Sequence, residues 1–137
     1  MQIQCPCCDN RIDISILIHP FANHNDQQDY TDGINLIKDI VLKNNNLTGA
    51  LFSGISKTNH IVRARHQFVY LSRWFFPNVS FSIIGTFIRD NYDHTTVIYG
   101  YKKIKDHIQI YNDEFTAIED LKNIIREKLK NIYNKHQ

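Results

Sequence analysis

Residues 93–104, Asp93-His94-Thr95-Thr96-Val97-Ile98-Tyr99-Gly100-Tyr101-Lys102-Lys103-Ile104 (DHTTVIYGYKKI), place a capping residue, a polar turn, an apolar stripe and a basic end in one run. Asp93 can accept hydrogen bonds from the free amides that open a helix. Val97, Tyr101, Ile104 and Ile108 then recur at helical spacing and predict a buried face, while Lys102, Lys103 and Lys105 supply positive charge further along. Such a helix can enter the DNA major groove N-terminus first. His94 and Asp93 would exchange hydrogen bonds with base edges, and a threonine methyl would pack on a thymine methyl. The hydroxyls and amides of Thr95 and Thr96 would meet phosphate. Taken alone, the same residues also fit an ordinary capped helix with a solvated basic face.

Upstream, the spacing predicts a short helix from Ser80 to Ile88 that buries Phe81 and Ile84, followed by a loop from Arg89 to Tyr92. These two helices and their connection form the pattern of a helix-turn-helix. Before them, a long helix is expected from about Asn59 to Phe76, with Ile61, Phe68, Leu71 and Phe75 on one face, Arg63, Gln67, Tyr70 and Arg73 elsewhere, and Pro77 ending it. Trp74, Phe75, Tyr99 and Tyr101 follow the buried spacing and are read as core or edge aromatics. Ile34, Ile37, Ile40 and Val41 predict a short helix that ends in Asn44-Asn45-Asn46. Ile118, Leu121, Ile125, Leu129 and Ile132 predict a last helix from Asp113 to about Tyr133. The expected class is mainly α, with a helical domain over residues 30–137. Residues 19–33 (HPFANHNDQQDYTDG) read as a linker or long loop, and residues 1–18, with Ile at 12, 14, 16 and 18, as a small β-hairpin.

Charge is distributed unevenly. The chain's net charge is only +2, yet residues 57–105 hold eight basic residues against Asp90 and Asp93. The positive excess is therefore confined to the segment containing the helix-turn-helix pattern, where a polyanion would be attracted.

The run DHTTVIYGYKKI closely resembles the signature of the DNA-binding domain of the bacterial replication initiator DnaA. IVRARHQFVYLSRWF, SFSIIG and Ser56-Lys57-Thr58 resemble elements upstream of that signature, so the resemblance covers about residues 33–130. It implies a helix-turn-helix domain of the DnaA/Trp-repressor-like type. It also implies base contacts from Asp93, His94 and Thr95, a backbone contact supported by Thr96, and a minor-groove or phosphate role for Arg63 and Arg65. Lys102 and Lys103 complete the expected DNA-binding set. The chain departs from the pattern at Asn91-Tyr92, where the family usually has Gly-Arg, and by one-residue insertions near Pro77 and Ile88.

Three cysteines within four positions make a poor disulfide framework and fit a reducing compartment. Cys5, Cys8, His19 and His24 approximate a Cys2His2 zinc pattern with a short middle gap; a metal-free turn is the alternative reading. No phosphate-binding G-x-x-x-x-G-K-[ST] loop occurs, so no ATP site is expected. No spacing ties a cysteine or histidine into a nucleophile and base, so no enzymatic activity is expected. No apolar run is long enough to cross a bilayer, and the N-terminus lacks signal-peptide features. The expectation is a cytoplasmic protein, bacterial or phage-encoded, whose partner is double-stranded DNA, together with a separate replication ATPase if it serves initiation. Transcriptional repression uses the same surface. From another class, an interaction module that keeps the fold without base readout remains open.

Overall fold

The computed structural model describes residues 27–134. The hairpin expected at the N-terminus, and Cys5, Cys8, His19 and His24 with it, lie outside the described residues. Six helices make up what is described: α1 Gln27–Asn44, α2 Gly49–Ser53, α3 Asn59–Phe75, α4 Phe81–Thr86, α5 His94–Ile110 and α6 Asn112–Asn134. None of them is long and apolar enough to cross a membrane.

α3 is the central element. α1, α2, α4 and α5 all pack against it, and α6 lies on α1 and α5. This explains why its sequence is apolar over more than one stripe: Phe68, Leu71 and Phe75 are fully buried, and so nearly are Val69, Tyr70 and Trp74 on other faces. Gln67 and Tyr70, expected to face away from the core, are buried for the same reason. The Gln67 side chain is satisfied there, its Oε1 accepting from Asn45 Nδ2 at 3.0 Å. From α6, Lys122 lays its ammonium 4.2 Å from the centre of the Trp74 ring and 3.0 Å from Glu119, so its charge closes the core without being stranded in it.

α1 differs from the reading of residues 27–33 as loop. The helix begins at Gln27 and passes through Gly33 without a break. Gly33 is helical because of what lies over it: a Cβ there would sit 2.4 Å from Phe76 Cζ and 3.0 Å from the Tyr133 hydroxyl. What reads as punctuation is a close packing point, and burial outweighs glycine's cost of roughly 1 kcal/mol in a helix. At the other end the asparagine run does stop the helix. Asn46 takes a left-handed conformation (φ 55°), and Leu47 N donates to Leu42 O at 2.9 Å, closing the C-terminal turn.

The one-turn α2 is absent from the sequence reading. It is capped by Thr48, whose side chain accepts from Leu51 N, and anchored by buried Phe52, which meets Phe68 edge-on at 5.6 Å. A single apolar anchor in five residues carries no periodicity, so only its docking on α3 reveals it.

Candidate nucleic-acid interface

α4 and α5 are joined by residues 87–93. The Ser80 hydroxyl caps α4 by accepting from Ile83 N at 3.2 Å. Gly85 lets the two helices approach, since a Cβ there would stand 3.1 Å from Val97 Cγ2. In the connection Asn91 adopts φ 61°. This left-handed position is one glycine takes freely and asparagine tolerates better than most residues, so the turn survives the departure from the Gly-Arg pattern. Val97, Gly100, Tyr101 and Ile104 seat α5 on the core, with Tyr101 stacked on Tyr70 at 5.5 Å.

That seating leaves Asp93, His94, Thr95 and Thr96 exposed together at the start of α5. Asp93 Oδ1 accepts from Thr95 N at 3.0 Å and from Thr95 Oγ1 at 2.6 Å. The Thr95 hydroxyl and then its amide hold the carboxyl below its ordinary value, so it stays ionised and acceptor-only. Such a group, offered to a base edge, can accept a hydrogen bond from the exocyclic amine of cytosine or adenine and cannot pair with a carbonyl, itself an acceptor. The first turn also carries the positive end of the helix dipole.

The basic residues divide into two kinds. Lys57, Lys102 and Lys103 are exposed. Arg63 has a half-exposed side chain and pairs with Glu114 of α6 at 2.9 Å. The other Glu114 oxygen, Oε2, is buried with no hydrogen-bond partner. Arg63, Lys103, His107 and Glu114 border one cleft between α3, α5 and α6. Lys103 is nine residues past His94, about 14 Å along the helix axis, so Arg63 belongs to the far end of α5 and is not gathered with the base-facing turn.

Arg65 departs from the DNA-contact expectation altogether. It is only 4% exposed. Its guanidinium donates to the carbonyls of Phe52 and Ser56, each at 2.8 Å, and to those of Gly54 at 2.8 Å and Leu51 at 3.3 Å. Burial lowers its pKa from the ordinary value, but a guanidinium keeps its proton regardless. Arg65 is therefore the strut of the α2–α3 connection. Arg89 reinforces it by donating to Gly54 O and, at 3.2 Å, to Ser53 O. Arg73 lies 4.2 Å from the centre of the Phe81 ring and is likewise engaged within the fold. The positive surface is smaller than the sequence count suggests.

One residue of the α5 surface was missed. Tyr99, expected among the core or edge aromatics and left out of the site, is 58% exposed and follows Thr95 by one turn on the outer face. The four-residue step from Thr95 was the available signal. Among the described residues, no three His, Cys, Asp or Glu side chains converge as metal ligands would.

Two helices joined by a tight turn, the second seated by its apolar stripe and presenting a capped polar first turn, define a helix-turn-helix domain. The model of the bacterial DnaA protein helix-turn-helix matches residues 34–104, just over half of the chain, and the chain belongs to that family, whose domains bind DNA. No curated protein matches it.

Proposed function

We propose that this protein reads duplex DNA in a sequence-specific way, with the first turn of α5 in the major groove and exposed lysines on the flanking backbone. The observation that carries the reading is the joint exposure of Asp93, His94, Thr95 and Thr96 on a helix start whose cap is already formed. Preorganisation of that kind lowers the ordering cost of binding. Asp93 and His94 are the base-reading pair, Thr95 fixes the Asp93 rotamer, and Thr96 with the neighbouring amides meets phosphate. Arg63 contributes from the far end of α5, once its pairing with Glu114 is exchanged for phosphate. The role we assign is a DNA-binding one without catalysis, in replication initiation or its control, where any ATP-driven opening of the duplex falls to a separate protein.

The test is selection from a randomised duplex library with sequencing of the bound fraction, for wild type and His94→Ala. An enriched motif is expected, and His94→Ala should lower affinity for it by about 1 to 3 kcal/mol while sparing non-specific binding. Absence of any enriched motif, or an equal loss on every sequence, would refute base reading by this turn.

A further inference from the structure

Tyr99 is an aromatic residue on the outer face of a helix whose other aromatic, Tyr101, is buried. Its ring rests against two neighbours. The His66 ring stands edge-on behind it at 5.9 Å. His66 in turn lies against α5 because residue 100 is glycine: a Cβ there would be 2.5 Å from His66 Cδ2. Lys103, one turn further along α5, places Nζ 3.4 Å from the Tyr99 hydroxyl oxygen and 5.6 Å from the ring centre. An ammonium can only donate, so the tyrosine oxygen is the acceptor and its own O–H remains available to donate. Two donors, one of them charged, thus stand side by side on exposed surface. Burial, reinforced by the positive charges of Lys103 and Arg65, holds His66 down to a pKa of about 4, so its ring is a neutral wall near neutral pH.

We propose that Tyr99 and Lys103 together form a backbone-phosphate clamp on α5, one and two turns beyond Thr95, with His66 and Gly100 as the support that orients it. This rests on the DNA-binding reading above. Tyr99 lies four residues after Thr95, about 6 Å along the helix axis, so the clamp would engage the strand flanking the groove while the first turn engages base edges. Two donors side by side, with the tyrosine oxygen already accepting from Lys103, suit an anionic oxygen. A base edge, which mixes donors and acceptors, fits them less well.

The experiment is a titration of the full chain with a fluorescent duplex of random sequence across a salt series, for wild type, Tyr99→Phe, Lys103→Ala and the double variant. Thermal melts confirm that each is folded. Tyr99→Phe keeps the ring against His66 and loses only the hydroxyl. It should bind about 3- to 10-fold more weakly with an unchanged salt slope. Lys103→Ala should weaken binding and make the slope shallower by about 0.9. The double variant should lose less than the product of the single losses, because both donors serve one phosphate. Wild-type affinity in Tyr99→Phe would overturn the clamp, and so would independent, multiplicative losses. A Tyr99→Phe loss confined to duplexes carrying one particular base pair would overturn it as well, by making Tyr99 a base reader. If wild type itself binds no duplex, the DNA-binding reading falls and the clamp with it. That result is distinct from a wild type that binds and a Tyr99→Phe variant that binds equally.

Discussion

Arg65→Ala separates an architectural arginine from a DNA-contacting one. The wild-type guanidinium makes three bonds of 2.8 Å, to Phe52, Ser56 and Gly54, and a longer one to Leu51. Charge-assisted hydrogen bonds contribute about 1.5 kcal/mol each at the low end, so the three short ones alone would give a total near 4 to 5 kcal/mol. Part of this is recovered, because Leu51, Gly54 and Ser56 are exposed or half-buried and their released carbonyls can take up water, while that of fully buried Phe52 stays shielded. The expected net loss is about 2 to 3 kcal/mol, a fall in Tm of roughly 10 °C for a domain of this size. Arg65→Lys should lose more than half as much, since one ammonium cannot span four carbonyls. Thermal and urea denaturation followed by far-ultraviolet circular dichroism measure this. At a temperature where Arg65→Ala is still folded, its duplex affinity should show the same salt slope as wild type. An unchanged Tm together with weaker binding and a shallower slope would refute the assignment and return Arg65 to the DNA surface.

Two further outcomes follow from the cleft beside Lys103. Glu114→Gln removes the charge that competes with phosphate for Arg63, so duplex affinity should rise by about 2- to 5-fold with a steeper salt dependence. An unchanged affinity and slope would mean that Arg63 does not meet DNA. The second concerns His66, whose pKa of about 4 in the fold lies below the ordinary 6.5. Between these values the unfolded chain binds the proton that the native protein refuses. Stability from this site is therefore complete above pH 6.5 and is lost as pH falls towards 4. After allowance for screening of a partly exposed ring, the loss should be on the order of 1 to 2 kcal/mol. Melts across this range should be flatter for His66→Gln than for wild type. Parallel curves would count against a neutral, half-buried His66.

Much of the domain was written in local pattern. The helix around Asn59 to Phe75, the capped start at Asp93 and the last helix follow from apolar spacing, a proline stop and a capping carboxylate, all of which act over one or two turns. The exposed polar turn that carries the proposed function was legible for the same reason: capping and amphipathicity together dictate which way Asp93, His94, Thr95 and Thr96 face.

What the tertiary structure alone decided are the places where a residue's role depends on a distant neighbour. Arg63 and Arg65 are two positions apart and chemically identical, yet one is half exposed beside Glu114 and the other is buried among the carbonyls of residues 51–56. Two residues along a helix is a rotation of about 200°, and nothing local says that α2 waits on one side. Gly33 looks like a helix breaker until Phe76 and Tyr133 close over it. Tyr99 looks like a core or edge aromatic until Gly100 admits His66 behind it and leaves its hydroxyl exposed beside Lys103. By itself the sequence determined which segments are helical and which helix presents the polar turn, because those preferences are set by near neighbours. Which arginine is a strut and which tyrosine is surface was decided by packing, because burial is set by what the chain brings back from far away.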